Sequence, residues 1–179
     1  MPSCKSITSA SLTLLWTLLL NLGQAQASEL ELAQRQWLAG QRTQAVATVE
    51  AALQKTPNEL NLRFALGVMR MEQGEQAAAL NIFTALTQDF PDLADPYNNL
   101  AVVHAGMGEL DLAQQELEQA LALQPGHAQA LENMGDVLLR LALRAYQRAQ
   151  QAQVAPSSSL ALKLSRTQDL LQAAKLPSQ

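Results

Sequence analysis

The sequence predicts an all-α fold built from repeated helical hairpins. The main evidence is a set of residues that recurs every 34 positions, which is typical of helical repeat arrays. A second observation is that the recurring residues are small, helix-ending or apolar, as stacked hairpins require. The recurring columns are Gly40, Gly74 and Gly108; Ala45, Ala79 and Ala113; Pro57, Pro91 and Pro125; Leu32, Leu66, Leu100 and Met134; and Ala33, Gly67, Ala101 and Gly135.

Each period is predicted to hold two antiparallel helices. The small residue of the first helix allows the second helix to approach closely. Gly108 ends the first helix of the third period, because glycine adopts the left-handed cap conformation without a Cβ penalty. Pro125 ends the second helix, because proline cannot continue the hydrogen-bond ladder. Between these two residues one helix face carries Ala113, Leu117 and Ala120.

These columns resemble the tetratricopeptide repeat (TPR) family. The third period matches the family pattern best, with Tyr97, Leu100, Ala101, Gly108, Ala113, Leu117, Ala120 and Pro125. The resemblance covers residues 28–154 and implies three full repeats at about 28–59, 60–93 and 94–127. It implies a helical-hairpin solenoid, but a fold does not fix a function.

The fourth repeat, residues 128–154, is irregular. Ala142 stands where the turn glycine is missing, and Ala142, Tyr146 and Ala149 resemble a second-helix pattern that arrives early. This region is therefore either one long helix or a hairpin with a very tight turn. The absence of Gly and Pro from Leu138 to Gln153 favours the long helix.

A linker at residues 155–159 and a last helix at 160–175 follow. Pro156 and the serines after it break the helical pattern, and Ser159 is the predicted N-cap. The final helix carries Leu160, Leu164, Leu171 and Ala174 on one face. It is predicted to cap the array, since end units expose an apolar face.

Residues 1–27 are predicted to be a secretory signal peptide. Lys5 precedes an apolar run from Leu12 to Leu22, and Ala25-Gln26-Ala27 supplies a small-x-small cleavage site. The run is too short for a stable membrane span, although an uncleaved anchor is the alternative. Cys4, the only cysteine, precedes the run, which argues against lipidation and leaves the mature chain without disulfides. The Ala-x-Ala site and the Gln- and Ala-rich composition suggest a bacterial periplasmic protein.

Composition and motifs argue against several functional classes. The chain has 12 Lys and Arg against 16 Asp and Glu, and no basic cluster, which argues against binding to nucleic acid or anionic membranes. No catalytic or metal-binding motif is present, so an enzyme, a metal and a cofactor are not predicted. His104 is expected to pack in place of an aromatic residue, and His127 to be a solvated turn residue.

The resemblance implies a concave groove lined by the first helix of each repeat. The predicted partner-binding residues are Leu30, Trp37, Phe64, Val68, Met71, Asn98, Val102, Glu132, Asp136, Leu139 and Arg140. Trp37, Phe64 and Met71 form the apolar end, which suits an amphipathic helix or an apolar peptide. The alternative is that these side chains pack inside the array, or that an N-terminal segment covers Trp37. No basic residues accompany the groove asparagines, so a clamp for a terminal carboxylate is not predicted.

The sequence therefore predicts a non-catalytic periplasmic scaffold or adaptor that binds a protein or peptide partner. Cell-envelope or peptidoglycan maintenance is the suggested setting. A self-assembling structural protein is the first alternative, in which end helices stack between chains to form a homo-oligomer. An assembly factor for a secretion or pilus system is the second alternative.

Overall fold

A computed structural model describes residues 29–152 and 157–173. The predicted signal peptide lies outside the described residues, as do residues 155 and 156 of the predicted linker and the end of the predicted last helix. The described residues form eight helices and no strand, so the predicted all-α repeat fold is confirmed. None of these helices combines the length and apolarity needed to cross a bilayer.

The helices follow one another with short connections. They are α1 (residues 29–38), α2 (Arg42–Lys55), α3 (Leu60–Glu72), α4 (Gln76–Asp89), α5 (Ala94–Met107), α6 (Leu110–Leu123), α7 (Ala128–Ala152) and α8 (Ser158–Ala173). The described residues divide into two compact units, which meet in the sequence between Met69 and Arg70. The boundary falls within α3, and each unit is described by itself.

The turn glycines end the first helices as the sequence predicts. Gly40, Gly74 and Gly108 have φ angles of 77°, 78° and 84°, in the left-handed region that favours glycine. The Gly108 N–H donates to the Ala105 carbonyl at 3.1 Å, and the Glu109 N–H donates to the His104 carbonyl at 2.9 Å. The other two turns repeat this pair of bonds, which is the Schellman pattern of helix ends.

The core of each unit includes residues of the predicted small and apolar columns, although Leu32 and Gly135 of those columns are exposed. In the first unit, the buried core residues are Ala33, Ala45, Val46, Val49, Ala52, Leu62 and Met69. In the second unit, one buried cluster holds Ala94, Ala101, Ala113, Leu117, Ala120, Ala130 and Val137. Close approach of the helices depends on these alanines, because a larger side chain would hold the helix axes apart.

His127 differs from its predicted role as a solvated turn residue. It is buried and precedes α7, where its Nδ1 accepts a hydrogen bond from the Ala130 N–H at 3.3 Å. Its Nε2 therefore carries the proton and donates to Asp95 Oδ1 at 3.0 Å. His127 thus caps α7 and connects it to the start of α5.

The fourth repeat is one continuous helix, as the absence of Gly and Pro predicts. Ala142 lies within α7, which runs without a break from Ala128 to Ala152. α8 begins two residues earlier than predicted, because Ser157 rather than Ser159 caps it by accepting a bond from the Leu160 N–H at 3.2 Å. α8 packs against α7, with Leu160 and Thr167 buried.

A cleft between α5 and α7

The clearest candidate site in the second unit is an open cleft where α5, α6 and α7 meet. Its volume is about 200 Å³, and it is lined by Ala101, Val102, Ala105, Gly106, Leu117, Asn133, Asp136, Val137 and Arg140. Three residues predicted to bind a partner, Val102, Asp136 and Arg140, lie together in this cleft. Ala105 and Gly106 precede the predicted residues Leu139 and Arg140 by one 34-residue period and so share their positions in the groove.

Small side chains on α5 create the space of the cleft. Ala101, Ala105 and Gly106 present little bulk, and the buried Leu117 of α6 lies beneath them. Gly106 is also closely approached from another side, since a Cβ there would lie 3.4 Å from the Gln76 amide nitrogen. The floor of the cleft is therefore apolar and fixed by the packing of α5 on α6.

The rim of the cleft is polar and carries both signs of charge. Asp136 and Arg140 are one turn apart on α7, and neither makes an ion pair within the described residues. Asn133 donates through Nδ2 to Asn98 Oδ1 at 2.8 Å, which leaves its amide oxygen as an acceptor. The cleft thus offers a carboxylate, a guanidinium and an amide above an apolar floor.

Asn98 occupies a different environment from the one predicted. Its side chain was expected to face the groove, but only 2% of the residue is exposed, and it holds Asn133 from within the α5–α7 contact. The helices approach so closely here that they enclose the Asn98 amide. It is linked to the cleft through its hydrogen bond with Asn133. Asn98 is therefore a positioning residue, and Asn133 is the one that lines the cleft.

The remaining predicted residues lie outside this cleft. On α7, Glu132 is exposed and Leu139 is half-buried; Met71 is half-buried in the second unit. In the first unit, Phe64 and Val68 are half-buried, while Leu30 and Trp37 pack against the apolar core. The Trp37 ring also lies 4.0 Å from the Arg42 guanidinium, measured to the ring centroid. For Leu30 and Trp37 the structure thus favours the packing alternative.

Several titratable groups of the second unit, outside the cleft, form hydrogen bonds or ion pairs with neighbouring side chains. A hydrogen bond from Arg144 to Asp111, at 2.5 Å, lowers the pKa of that carboxyl and raises the pKa of Arg144. Burial raises the pKa of Glu116. His104 Nδ1 lies 2.7 Å from Glu109 Oε2 across the turn. Within residues 29–152 and 157–173 no group of His, Cys, Asp and Glu is arranged to hold a metal ion.

Four lining residues were not among the predicted groove positions: Ala101, Leu117, Asn133 and Val137. The sequence signals Ala101 and Leu117 as packing residues, because they occupy a repeat column and the apolar face of a helix, whereas Asn133 and Val137 carry no such signal. The cleft lies between the first helices of two successive repeats, so residues that pack between helices also form its floor.

Comparison with models of known protein families finds one match. Residues 94–127 match the family model of the tetratricopeptide repeat, over the same bounds as the predicted third repeat. This segment thus matches a tetratricopeptide repeat, and the described residues share the TPR type of fold with solved structures. Comparison with curated protein sequences finds no significant match.

Solved structures of TPR proteins share the fold. The first TPR of Spaghetti (RPAP3), bound to an HSP90 peptide, is 15% identical with a TM-score of 0.61, over 66% of this chain and 94% of that one. MamA from Desulfovibrio magneticus RS-1 is 15% identical with a TM-score of 0.59, over 84% and 77%. YrrB, described as a TPR protein with an unusual peptide-binding site, is 26% identical with a TM-score of 0.56, over 60% and 55%.

Proposed function

We propose that this protein is a non-catalytic scaffold that binds a short peptide segment of a protein partner in the α5–α7 cleft. The observation that carries the proposal is the convergence of Val102, Asp136 and Arg140 with Asn133 in one open cleft. The TPR type of fold, whose solved examples include structures bound to peptides, supports a role in positioning a partner.

The size of the cleft favours a peptide over a metabolite. Pockets for small molecules are typically about 300–1,000 Å³ and enclose most of the ligand. The present cleft is smaller, at about 200 Å³, and open to solvent. A space of this kind accommodates one or two side chains of a longer ligand that continues beyond it.

The polar groups on the rim of the cleft indicate which side chains the bound peptide segment should carry. An apolar side chain of the partner would contact Val102 and Val137. An acidic group beside it would pair with Arg140, and a basic group with Asp136. The Asn133 amide oxygen would accept a backbone N–H. TPR structures described as bound to HSP90 and HSP70 peptides support a peptide as the ligand class.

Charge reversal tests the cleft. A photoreactive amino acid at position 102 should crosslink in cells to one dominant protein other than the chain itself. Asp136→Arg and Arg140→Glu should each reduce its recovery about tenfold, the loss expected when a charge-assisted contact becomes a repulsion. Arg166→Glu is the matched control, because Arg166 is exposed on α8, outside the cleft. Unchanged recovery after both reversals, or crosslinking to the chain alone, would refute the proposal.

We further propose that the scaffold acts in the periplasm, in the maintenance of the cell envelope. The apolar run and the Ala25-Gln26-Ala27 site support export. Residues 1–27 fused to a reporter enzyme that is active only outside the cytoplasm should give activity and a shortened product. A full-length, inactive fusion would contradict export.

A further inference from the structure

The first half of α7 has an apolar face that no helix among the described residues covers. In the third repeat the first helix, α5, places its small residue Ala101 in the core at 1% exposure. The equivalent Gly135 of α7 is exposed, and a Cβ added to it would meet nothing within 4 Å. Leu131 and Leu138, on the same face, are 52% and 47% exposed. The fourth repeat therefore has the contact surface of a first helix, but lacks a second helix folded against it.

The cause is the missing turn. Gly40, Gly74 and Gly108 each stop a first helix and fold the second helix back. At Ala142 no residue adopts the left-handed conformation, so the segment that resembles a second helix continues in line as the end of α7. α8 packs on that end, near Leu143 and Tyr146, and leaves the first half of the helix uncovered. The hairpin of the fourth repeat is thus open.

The open helix carries both contact surfaces of a hairpin on one continuous face. Residues spaced alternately by three and four positions form an apolar heptad face without a charge: Ala128, Leu131, Gly135, Leu138, Ala142, Ala145, Ala149 and Ala152. Six of these eight are exposed, and Ala142 and Ala149 are half-buried. The larger side chains lie before residue 140, and only alanines follow it.

We propose that a second copy of this chain covers this face, through antiparallel pairing of the two α7 helices about a two-fold axis near residue 140. In this register Leu131 lies opposite Ala149 of the second copy, Leu138 opposite Ala142, and Gly135 opposite Ala145. Every leucine meets an alanine, and each contact occurs twice by symmetry. Each chain supplies the second-helix surface that its partner lacks, which is the exchange found in domain-swapped dimers.

This pairing is specific to a second copy and to the antiparallel direction. A parallel pair would set leucine against leucine in one half and alanine against alanine in the other, which leaves a gap along the alanine half. The dimer face is also separate from the α5–α7 cleft, because Asp136 is two residues from Leu138, about 200° around the helix. Both copies therefore keep their clefts open.

Light scattering of the full chain, coupled to size exclusion, tests the pairing. We expect a dimer at micromolar concentration. Gly135→Glu should convert it to a monomer with unchanged circular dichroism, because the added side chain meets open space within one chain but would bury a charge against Ala145 of the second copy. Leu138→Glu should act in the same way. Leu162→Glu is the matched control and should remain dimeric, since Leu162 is 54% exposed on the other side of α8.

A disulfide test then fixes the direction. In a Cys4→Ser background the chain has no other cysteine, so Leu131→Cys and Ala149→Cys together introduce the only pair. Oxidation should give a covalent dimer linked between positions 131 and 149 of different chains. Insertion of a glycine-containing turn between Leu141 and Ala142 should close the hairpin within one chain and give a monomer. A monomeric wild type at 100 μM, dimeric Gly135→Glu, or links only between identical positions would overturn the proposal.

Discussion

Two glycine-to-alanine substitutions should change the stability of this fold in opposite directions. At Gly108 the φ angle is 84°, where an L-residue costs about 1–2 kcal/mol. About 0.5–1 kcal/mol of this conformational cost is offset, because alanine has less conformational freedom than glycine in the unfolded chain. No atom lies within 4 Å of an added Cβ, so the net loss of about 1 kcal/mol comes from the backbone alone.

At Gly135 the same substitution should stabilise the monomer. The residue lies inside α7 with helical backbone, and an added Cβ meets nothing within 4 Å. Alanine is favoured over glycine in a helix interior by about 0.5–1 kcal/mol. The two variants should therefore differ by roughly 1.5–2 kcal/mol in the free energy of unfolding.

Urea unfolding followed by circular dichroism, at concentrations low enough to keep the chain monomeric, measures this difference as a midpoint separation of roughly 1 M. Gly108→Asn is the control, because asparagine tolerates the left-handed region better than alanine and should lose less. If Gly108→Ala proved neutral or stabilising, the assignment of the turn as a glycine-dependent helix stop would be refuted.

Three further substitutions probe the second unit. His127→Ala should lower stability by about 1–2 kcal/mol in thermal unfolding, since it removes the α7 cap and the bond to Asp95. Leu117→Ala should cost about 2–5 kcal/mol in urea unfolding, because Leu117 is fully buried between helices. Burial raises the folded-state pKa of Glu116, so wild-type stability declines as pH rises through that pKa. Glu116→Gln should therefore stabilise by less than about 1 kcal/mol at pH 7, and this gain should vanish under acidic conditions where Glu116 is protonated.

For each of these substitutions, one outcome would contradict the expected effect. An unchanged midpoint for His127→Ala would mean that water replaces both of its hydrogen bonds. A loss below 1 kcal/mol for Leu117→Ala would indicate that the helices close around the missing side chain. A stability gain for Glu116→Gln that is equal at pH 4 and pH 7 would exclude ionisation as its origin.

Most of the fold was predictable because the repeats impose the same requirement at each period. Gly108 and Pro125 end helices through local backbone restrictions, and such restrictions are visible in one sequence. The continuous α7 was predictable for the same reason, since the fourth period lacks the residue that would stop it. The caps were less predictable. Ser157 rather than Ser159 caps α8, which begins at Ser158, and the choice among neighbouring serines depends on how α8 packs on α7.

The candidate site was predictable only in part. Val102, Asp136 and Arg140 meet in one cleft, as the repeat register implies, because positions 34 residues apart lie side by side on adjacent first helices. Asn98 shares that register but is enclosed, and Asn133 lines the cleft in its place. The distance between the helices and their rotation decide whether the Asn98 or the Asn133 amide reaches solvent. The spacing of residues in the sequence does not reveal either quantity.

The sequence alone determined the all-α repeat architecture and the helix ends, and it favoured one long helix in the fourth repeat, because these follow from the conformational limits of glycine, alanine and proline. The tertiary structure decided the role of His127, whose ring is buried by contact between α5 and α7, helices that are far apart along the chain. It also decided that Gly135, Leu131 and Leu138 remain uncovered, because the position of α8 along α7 is set by packing rather than by local sequence.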